Sequence, residues 1–362
     1  MAYAPAMTTT PLAQPASRPA GDGRAAALRE LLRTRKRLLV LTHNNPDPDS
    51  LGGAAGLQEF ARAVGVPSRL AIAGKILRAE NQAMVRELGL ELDRVEDLKI
   101  AEFDCVAFVD TQPGFGHTIV PAGVHVDIVV DHHVCAEAKL GPADCAFFDV
   151  RTDVGATSSI VGGYLLAAGV TPSPQAATAL AYGIRTDTAD LSRNVSPLDL
   201  AVWDYLSPHV DRQKLAAIAN PRLPVRYFEA LKQALSKVRL YDGVTLCSLG
   251  RTASAEMVAE VADMLLRMEG VRAVFCGGLV GAQYHISVRT ELGGDAWALI
   301  RAGMDGQGGS CGGHGTVAGG AIPMEGADTR ALRRLERRLE RNVLHAMGVT
   351  GANAAILGDR DD

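Results

Sequence analysis

Three apolar runs, each stopped by groups that can ionise, constrain this chain more than anything else in it. RLLVLTH ends at His43, DCVAFVD at Asp110, and HVDIVVDHH at Asp131, His132 and His133. The first run continues into NNPDPDSLGGAAGL, a loop that places His43, Asp47 and Asp49 within seven residues, followed by a small-residue segment that reads as a helix. Taken as neighbouring parallel strands, the three runs bring their C-terminal ends to one edge of one sheet, where open α/β folds form their ligand crevices. His43, Asp47, Asp49, Asp110, Asp131, His132 and His133 then converge.

Carboxylates at that density repel one another and rise in pKa unless something compensates them. A pair of divalent cations removes the conflict by placing positive charge where the acids meet. Carboxylate and imidazole donors without a thiolate suit Mn²⁺, Mg²⁺, Co²⁺ or Zn²⁺ in a reactive centre better than a structural zinc. We expect two cations, with Mn²⁺ first and Mg²⁺ or Co²⁺ as alternatives. Each motif alone has a bland explanation, such as a strand-end cap or a partly buried core histidine. Their recurrence at successive strand ends is what that explanation misses.

The motifs resemble those of the DHH phosphoesterase family, whose name is spelled by Asp131, His132 and His133. H-x-x-x-D-x-D stands as His43, Asp47 and Asp49, the strand-end aspartate as Asp110, and G-I-x-T-D-T as Gly183 to Thr188. GGSCGGHGTVAGG, from Gly308 to Gly320, resembles the G-G-H signature of the domain that accompanies the DHH domain. The resemblance implies that His43, Asp47 and Asp110 hold one cation and Asp49, Asp110, His132 and Asp187 the other, with Asp110 bridging. It casts Asp131 as an acid that orients a histidine and leaves His133 for substrate phosphate. It also implies in-line attack on phosphorus by a hydroxide held between the cations, with no protein nucleophile.

A chain of 362 residues suggests two domains. We expect an α/β protein with a larger parallel-sheet catalytic domain, a smaller mixed-sheet α/β substrate-binding domain, and a cleft between them. The divisions read from the sequence are a flexible tail over 1–22, the DHH domain over 23–207, a proline-bearing linker over 208–226, the second domain over 227–348, and a polar tail over 349–362. A formal net charge of −4 argues against a general nucleic-acid coat and leaves room for a local basic cleft. No signal-peptide core or bilayer-length apolar run is present, so we read the protein as cytoplasmic, with no membrane partner. The six cysteines form no C-x-x-C pair and read as small buried hydrophobes.

In the second domain, AVFCGGLV and YHISVRT read as a paired hairpin, and a glycine-rich loop places Gly306, Gly308, Gly309, Gly312, Gly313 and Gly315 around His314. Glycines let backbone N–H groups approach an anion closely. Gly312, Gly313 and His314 are therefore candidates for holding substrate, and Arg289, at the end of YHISVRT, for clamping a phosphate. The start of ATSSIVGGYLLAAG offers either an anion site at a helix N-terminus or simple capping by its hydroxyls. The late helix ADTRALRRLERRLERNVLHAMG is rich in arginine, and Glu336 and Glu340 suggest an i,i+4 paired, solvated face.

The two-domain layout is similar to that of bacterial nanoRNases, or pAp phosphatases. That implies short RNA or DNA oligonucleotides (nanoRNA, pApA) or 3′-phosphoadenosine 5′-phosphate as substrate. Pro48 stands where many such relatives have glycine, which loosens the subfamily assignment. Alternatives are a cyclic di-AMP phosphodiesterase, a polyphosphate or pyrophosphate hydrolase of the same superfamily, and a nucleotide-binding protein without turnover. Whether the chain forms a homodimer is left open.

Overall fold

The structure, a computed structural model, describes residues 23–115, 118, 124–134, 141–252, 254–349 and 354–357. The tail read over 1–22 lies outside these residues, as does most of 349–362. The chain divides into two units, Met1–Pro221 and Arg222–Asp362.

In the first unit, α1 (Arg24–Arg33) buries Leu28 and Leu32 and leads into β1 (Leu38–Leu41), all four residues of which are buried. Then come α2 (Pro48–Val64), β2 (Ser68–Ile72), α3 (Ala79–Leu88), β3 (Leu92–Arg94), β4 (Cys105–Val109), β5 (Ile128–Asp131) and β6 (Phe147–Val150). The unit closes with α4 (Thr157–Ala168), α5 (Pro174–Asp187), α6 (Pro197–Leu206) and α7 (Arg212–Ala219). All six strands pair in parallel, in the order β3-β2-β1-β4-β5-β6. The three acid-terminated runs are the adjacent strands β1, β4 and β5. Both faces of these strands are covered, as a parallel sheet requires: Val40, Ala107 and Val130 face one core, and Leu39, Phe108 and Val129 the other. The strand order reverses between β1 and β4, so the chain leaves these two neighbours in different directions and opens a crevice at their C-terminal ends.

The small residues after the first motif bring α2 close to α5. A Cβ on Gly52 would lie 2.6 Å from the Ala179 carbonyl oxygen, and one on Gly56 would lie 2.6 Å from Leu180 Cδ2. Residues 208–226, read as a linker from their prolines, contain α7. Its Ile218 is buried with Met84, Ala179 and Tyr182, so the first unit runs past Ser207.

The second unit comprises α8 (Val225–Leu235), β7 (Arg239–Leu240), β8 (Val244–Arg251), α9 (Ala255–Leu266), β9 (Ala273–Val280) and β10 (Gln283–Thr290). After these come α10 (Ala296–Gly303), β11 (Ser310–His314), β12 (Val317–Pro323), α11 (Thr329–Ala346) and β13 (Ala355–Ile356). Its sheet runs β11-β12-β10-β9-β8-β7-β13 and is mixed, with β8 parallel to β9 and the other pairs antiparallel. Helices α10 and α11 cover one face and α8 and α9 the other. The hairpin read from AVFCGGLV and YHISVRT is β9–β10. The glycine-rich segment, read as a loop, is instead edge strand β11, paired with β12 from Ser310↔Ala321 to His314↔Val317. Glycine is needed there for closeness: at Gly313, φ is +155° and a Cβ would lie 2.5 Å from Ala318 Cα.

Candidate metal centre

The loop after β1 delivers its donors through the start of α2. Asp47 is the N-cap, its carboxylate accepting from the Ser50 N–H at 3.0 Å, and Pro48 occupies the first turn, where no backbone donor is needed. Asp49 follows inside the helix and is fully buried. Its carboxylate accepts the N–H of Thr157 at 2.7 Å and of Ser158 at 2.8 Å. These two donors open α4, whose N-cap, Ala156, offers no side-chain cap. The anion at that helix end is therefore the protein's own Asp49, and hydroxyl capping is absent.

Asp110 follows β4 at φ +60°, a left-handed conformation that aspartate and asparagine adopt more readily than other non-glycine residues. Ser50 Oγ donates to its Oδ2 at 2.6 Å and Thr157 Oγ1 to its Oδ1 at 2.9 Å. Asp131, at the end of β5, is also buried. Its Oδ2 accepts from Gln112 Nε2 at 2.7 Å, while its Oδ1 accepts from the His132 N–H at 2.8 Å and lies 2.9 Å from His133 Nδ1. His132 sets its Nδ1 3.2 Å from the Val154 carbonyl oxygen, which turns Nε2 toward the acids. That nitrogen lies 3.2 Å from Asp187 Oδ2, 3.7 Å from Asp110 Oδ1 and 3.9 Å from Asp49 Oδ2. It is nevertheless buried with no hydrogen bond of acceptable geometry.

Three donor sets result: His43, Asp47 and Asp110; Asp49, His132 and Asp187; and Asp110, His132 and His133, the donor atoms of each lying within 4.8 Å of one another. Burial, with the charge of Asp187 behind it, pushes the Asp49 carboxyl up to about 7. Burial and then the charges of Asp49, Asp47 and Asp187 raise Asp110 well above the usual carboxylate range. Burial also opposes a charge on His132, but Asp187 and Asp49 outweigh it and raise the ring to about 9. Asp47 goes the other way: burial is outweighed by His43 and the Ser50 N–H, which hold its carboxyl below the ordinary range. Carboxylates raised by mutual repulsion and an orphaned imidazole nitrogen among them fit divalent cations, whose charge would satisfy both.

The structure thus brings together His43, Asp47, Asp49, Asp110, Asp131, His132, His133 and Asp187. Sequence reasoning missed Ser50, Gln112 and the role of Thr157 and Ser158, which hold these acids. In the second unit, Gly312 and Gly313 lie in β11, and His314 ends that strand. Arg289 departs from the reading of a free phosphate clamp. It is buried on β10, its guanidinium paired with Asp263 and donating to Ser287 Oγ at 2.7 Å.

A parallel sheet of this order, with carboxylates and imidazoles gathered where the order reverses, defines an α/β protein built to hold divalent cations. Within that class the chain belongs to the DHH family: the family's N-terminal domain matches residues 37–184, and the DHHA1 domain matches residues 242–341. An uncharacterised protein of Methanocaldococcus jannaschii is 35% identical over 320 residues, covering 86% of this chain; the chain spans 64% of that relative's length. A second uncharacterised protein of the same organism is 25% identical, over 82% of this chain and 91% of its own length. An exopolyphosphatase-related protein from Bacteroides fragilis shares the fold, with a TM-score of 0.72 over 91% of this chain and 99% of its own, at 16% identity. Among the described residues no helix is long and apolar enough to cross a membrane.

Proposed function

We propose that the chain is a divalent-cation-dependent phosphoesterase that hydrolyses short oligonucleotides such as pApA, or 3′-phosphoadenosine 5′-phosphate. One observation carries the reading: two donor sets, His43–Asp47–Asp110 and Asp49–His132–Asp187, joined through Asp110, which lies 3.9 Å from His43 Nε2 and 3.7 Å from His132 Nε2. Each set would hold one cation, Mn²⁺ being the best match to this donor chemistry. Cations bound there supply Lewis-acid charge for phosphoryl oxygens and acidify water.

The chain's own groups position the reaction. Asp131 fixes the His133 ring through Nδ1 and leaves Nε2 for a substrate phosphate, and Gln112 steadies the pair by donating to Asp131 and to the His133 carbonyl. Backbone donors of the glycine-bearing β11, with His314, are our candidates for the nucleotide end of the substrate.

The test is hydrolysis by metal-stripped protein with Mn²⁺ restored, on 3′-phosphoadenosine 5′-phosphate, pApA, a short RNA, cyclic di-AMP and polyphosphate. Metal-dependent release of mononucleotides or of phosphate from the first three is the expected result. Cleavage confined to cyclic di-AMP or polyphosphate would replace the substrate assignment, and no turnover with any cation would remove the enzyme reading.

A further inference from the structure

Helix α11 carries Arg330, Arg333, Arg334, Arg337, Arg338 and Arg341, all of them exposed. In the sequence, Glu336 and Glu340 look like their i,i+4 partners. The structure directs both glutamates elsewhere. Ser248 Oγ donates to Glu336, Tyr241 OH donates to Glu340, and Arg239 pairs with Glu340 at 2.8 Å. Among the described residues no carboxylate pairs with any of the six arginines, and Arg338 meets only an amide oxygen, Gln307 Oε1, at 3.5 Å.

Thr329, Arg330, Arg333, Arg334 and Arg337 line an open depression of about 400 Å³. Gathering four guanidinium groups there without counter-charge is unfavourable by itself, and a polyanion relieves it. Guanidinium forks match phosphate oxygens in pairs, which a lysine ammonium cannot do. Arginines one helical turn apart, about 5.4 Å along the axis, can each take a separate phosphate of one chain, and the row from Arg330 to Arg341 extends roughly 16 Å.

The rest of the helix narrows the ligand. Leu332, Leu335, Leu339 and Val343 are buried in the core of this unit, so no apolar face remains to enter a membrane surface. The exposed face carries no aromatic side chain on which a base could stack, which confines binding to the backbone of a strand. We propose that this face of α11 binds the phosphodiester backbone of single-stranded nucleic acid, without sequence preference and without using any residue of the metal centre.

The experiment uses the full chain in EDTA and a fluorescein-labelled oligouridine, with anisotropy followed across a salt series. Because no metal is present, the outcome does not depend on whether the protein hydrolyses phosphoesters. Replacing Arg330, Arg334 and Arg337 together by Gln should weaken binding at least tenfold at low salt. It should also flatten the slope of log affinity against log salt by about 2, at roughly 0.7 for each phosphate left without its arginine. The matching triple Lys variant should keep most of the slope. These side chains are exposed, and an unchanged melting temperature confirms that the Gln variant is folded. Equal affinity and slope in wild type and the Gln variant would overturn the proposal. So would a variant that loses binding to inorganic polyphosphate or to anionic phosphatidylserine vesicles while keeping the RNA.

Discussion

The hydroxyl of Thr157 donates to Asp110 Oδ1 at 2.9 Å, and the backbone N–H of the same residue donates to Asp49 Oδ2 at 2.7 Å. One residue at the start of α4 thereby orients an acid from the end of β4 and another from the start of α2. Buried acids that would otherwise repel each other are each given a donor, which keeps them close without forcing their protonation.

Thr157→Val tests that link. Valine keeps the shape and the backbone N–H but removes the hydroxyl, leaving Asp110 Oδ1 without that donor in a buried site. Removing such a supporting partner costs metal affinity on the order of 10- to 100-fold, and we expect a drop of that size, with Thr157→Ser restoring it. Mn²⁺ titration followed by the free-ion EPR signal measures it. Equal affinity in the Val and Ser variants would show that the hydroxyl does nothing for the centre.

Asp110→Asn separates the metal role of Asp110 from its structural one. Asparagine tolerates φ +60°, and the hydroxyls of Ser50 and Thr157 can rotate to accept from as well as donate to the amide. The metal-free fold should therefore melt within a few degrees of wild type, while removal of the bridging charge should lower Mn²⁺-dependent hydrolysis on the order of a thousandfold or more. Retained hydrolysis would contradict the bridging assignment.

Much of this centre is legible in the sequence because its acids end apolar runs. His43, Asp110 and Asp131 each lie just past or at the end of a buried strand, and the sheet rule carries them to one edge. Asp49 is legible as a motif, but the donors that hold it are not: Thr157 and Ser158 lie 108 and 109 residues away, and a hydroxyl or amide leaves no periodic trace. Arg289 fails for the same reason. Its place at the end of YHISVRT is plain, but Asp263, which engages it from α9, is visible only once the two elements meet. The glycines from 306 to 315 read as a loop because local propensity knows nothing of β12, whose backbone they approach too closely for any side chain. The arginines of α11 lose their apparent partners because Ser248 and Tyr241 compete for the same glutamates.

Gly183→Ala should damage the centre from behind. A Cβ there would lie 2.3 Å from Ser158 Oγ and 3.0 Å from Asp49 Cα, where α5, α2 and α4 meet. Overpacking of this kind costs about 1–3 kcal/mol, read as a lower denaturant midpoint at unchanged m-value. Displacement of Asp49 should reduce Mn²⁺ affinity in the same variant. A stable variant with native affinity would mean that the three helices yield at no cost.

The pH dependence of the metal-free protein has a definite sign. Asp49 is raised from the ordinary 3.8 to about 7, and His132 from 6.5 to about 9. In both cases the folded state holds a proton that the unfolded chain has released, so unfolding free energy falls as pH rises. The Asp49 contribution is complete below 3.8 and gone above about 7, and the His132 contribution is complete below 6.5 and gone above about 9. Asp47, held below its ordinary 3.8, acts with the opposite sign but only at pH values under that one. Between about pH 6 and 9 the melting temperature of EDTA-treated protein should therefore decline. A cation requires Asp49 ionised and His132 neutral, so Mn²⁺ affinity rises over the same interval and the stabilisation it gives grows with pH. Melting curves with and without Mn²⁺ across that range, together with titration calorimetry in two buffers of different ionisation enthalpy, measure the widening gap and the protons released. A gap that stays constant, with no proton release on binding, would mean that the cation does not bind among these groups.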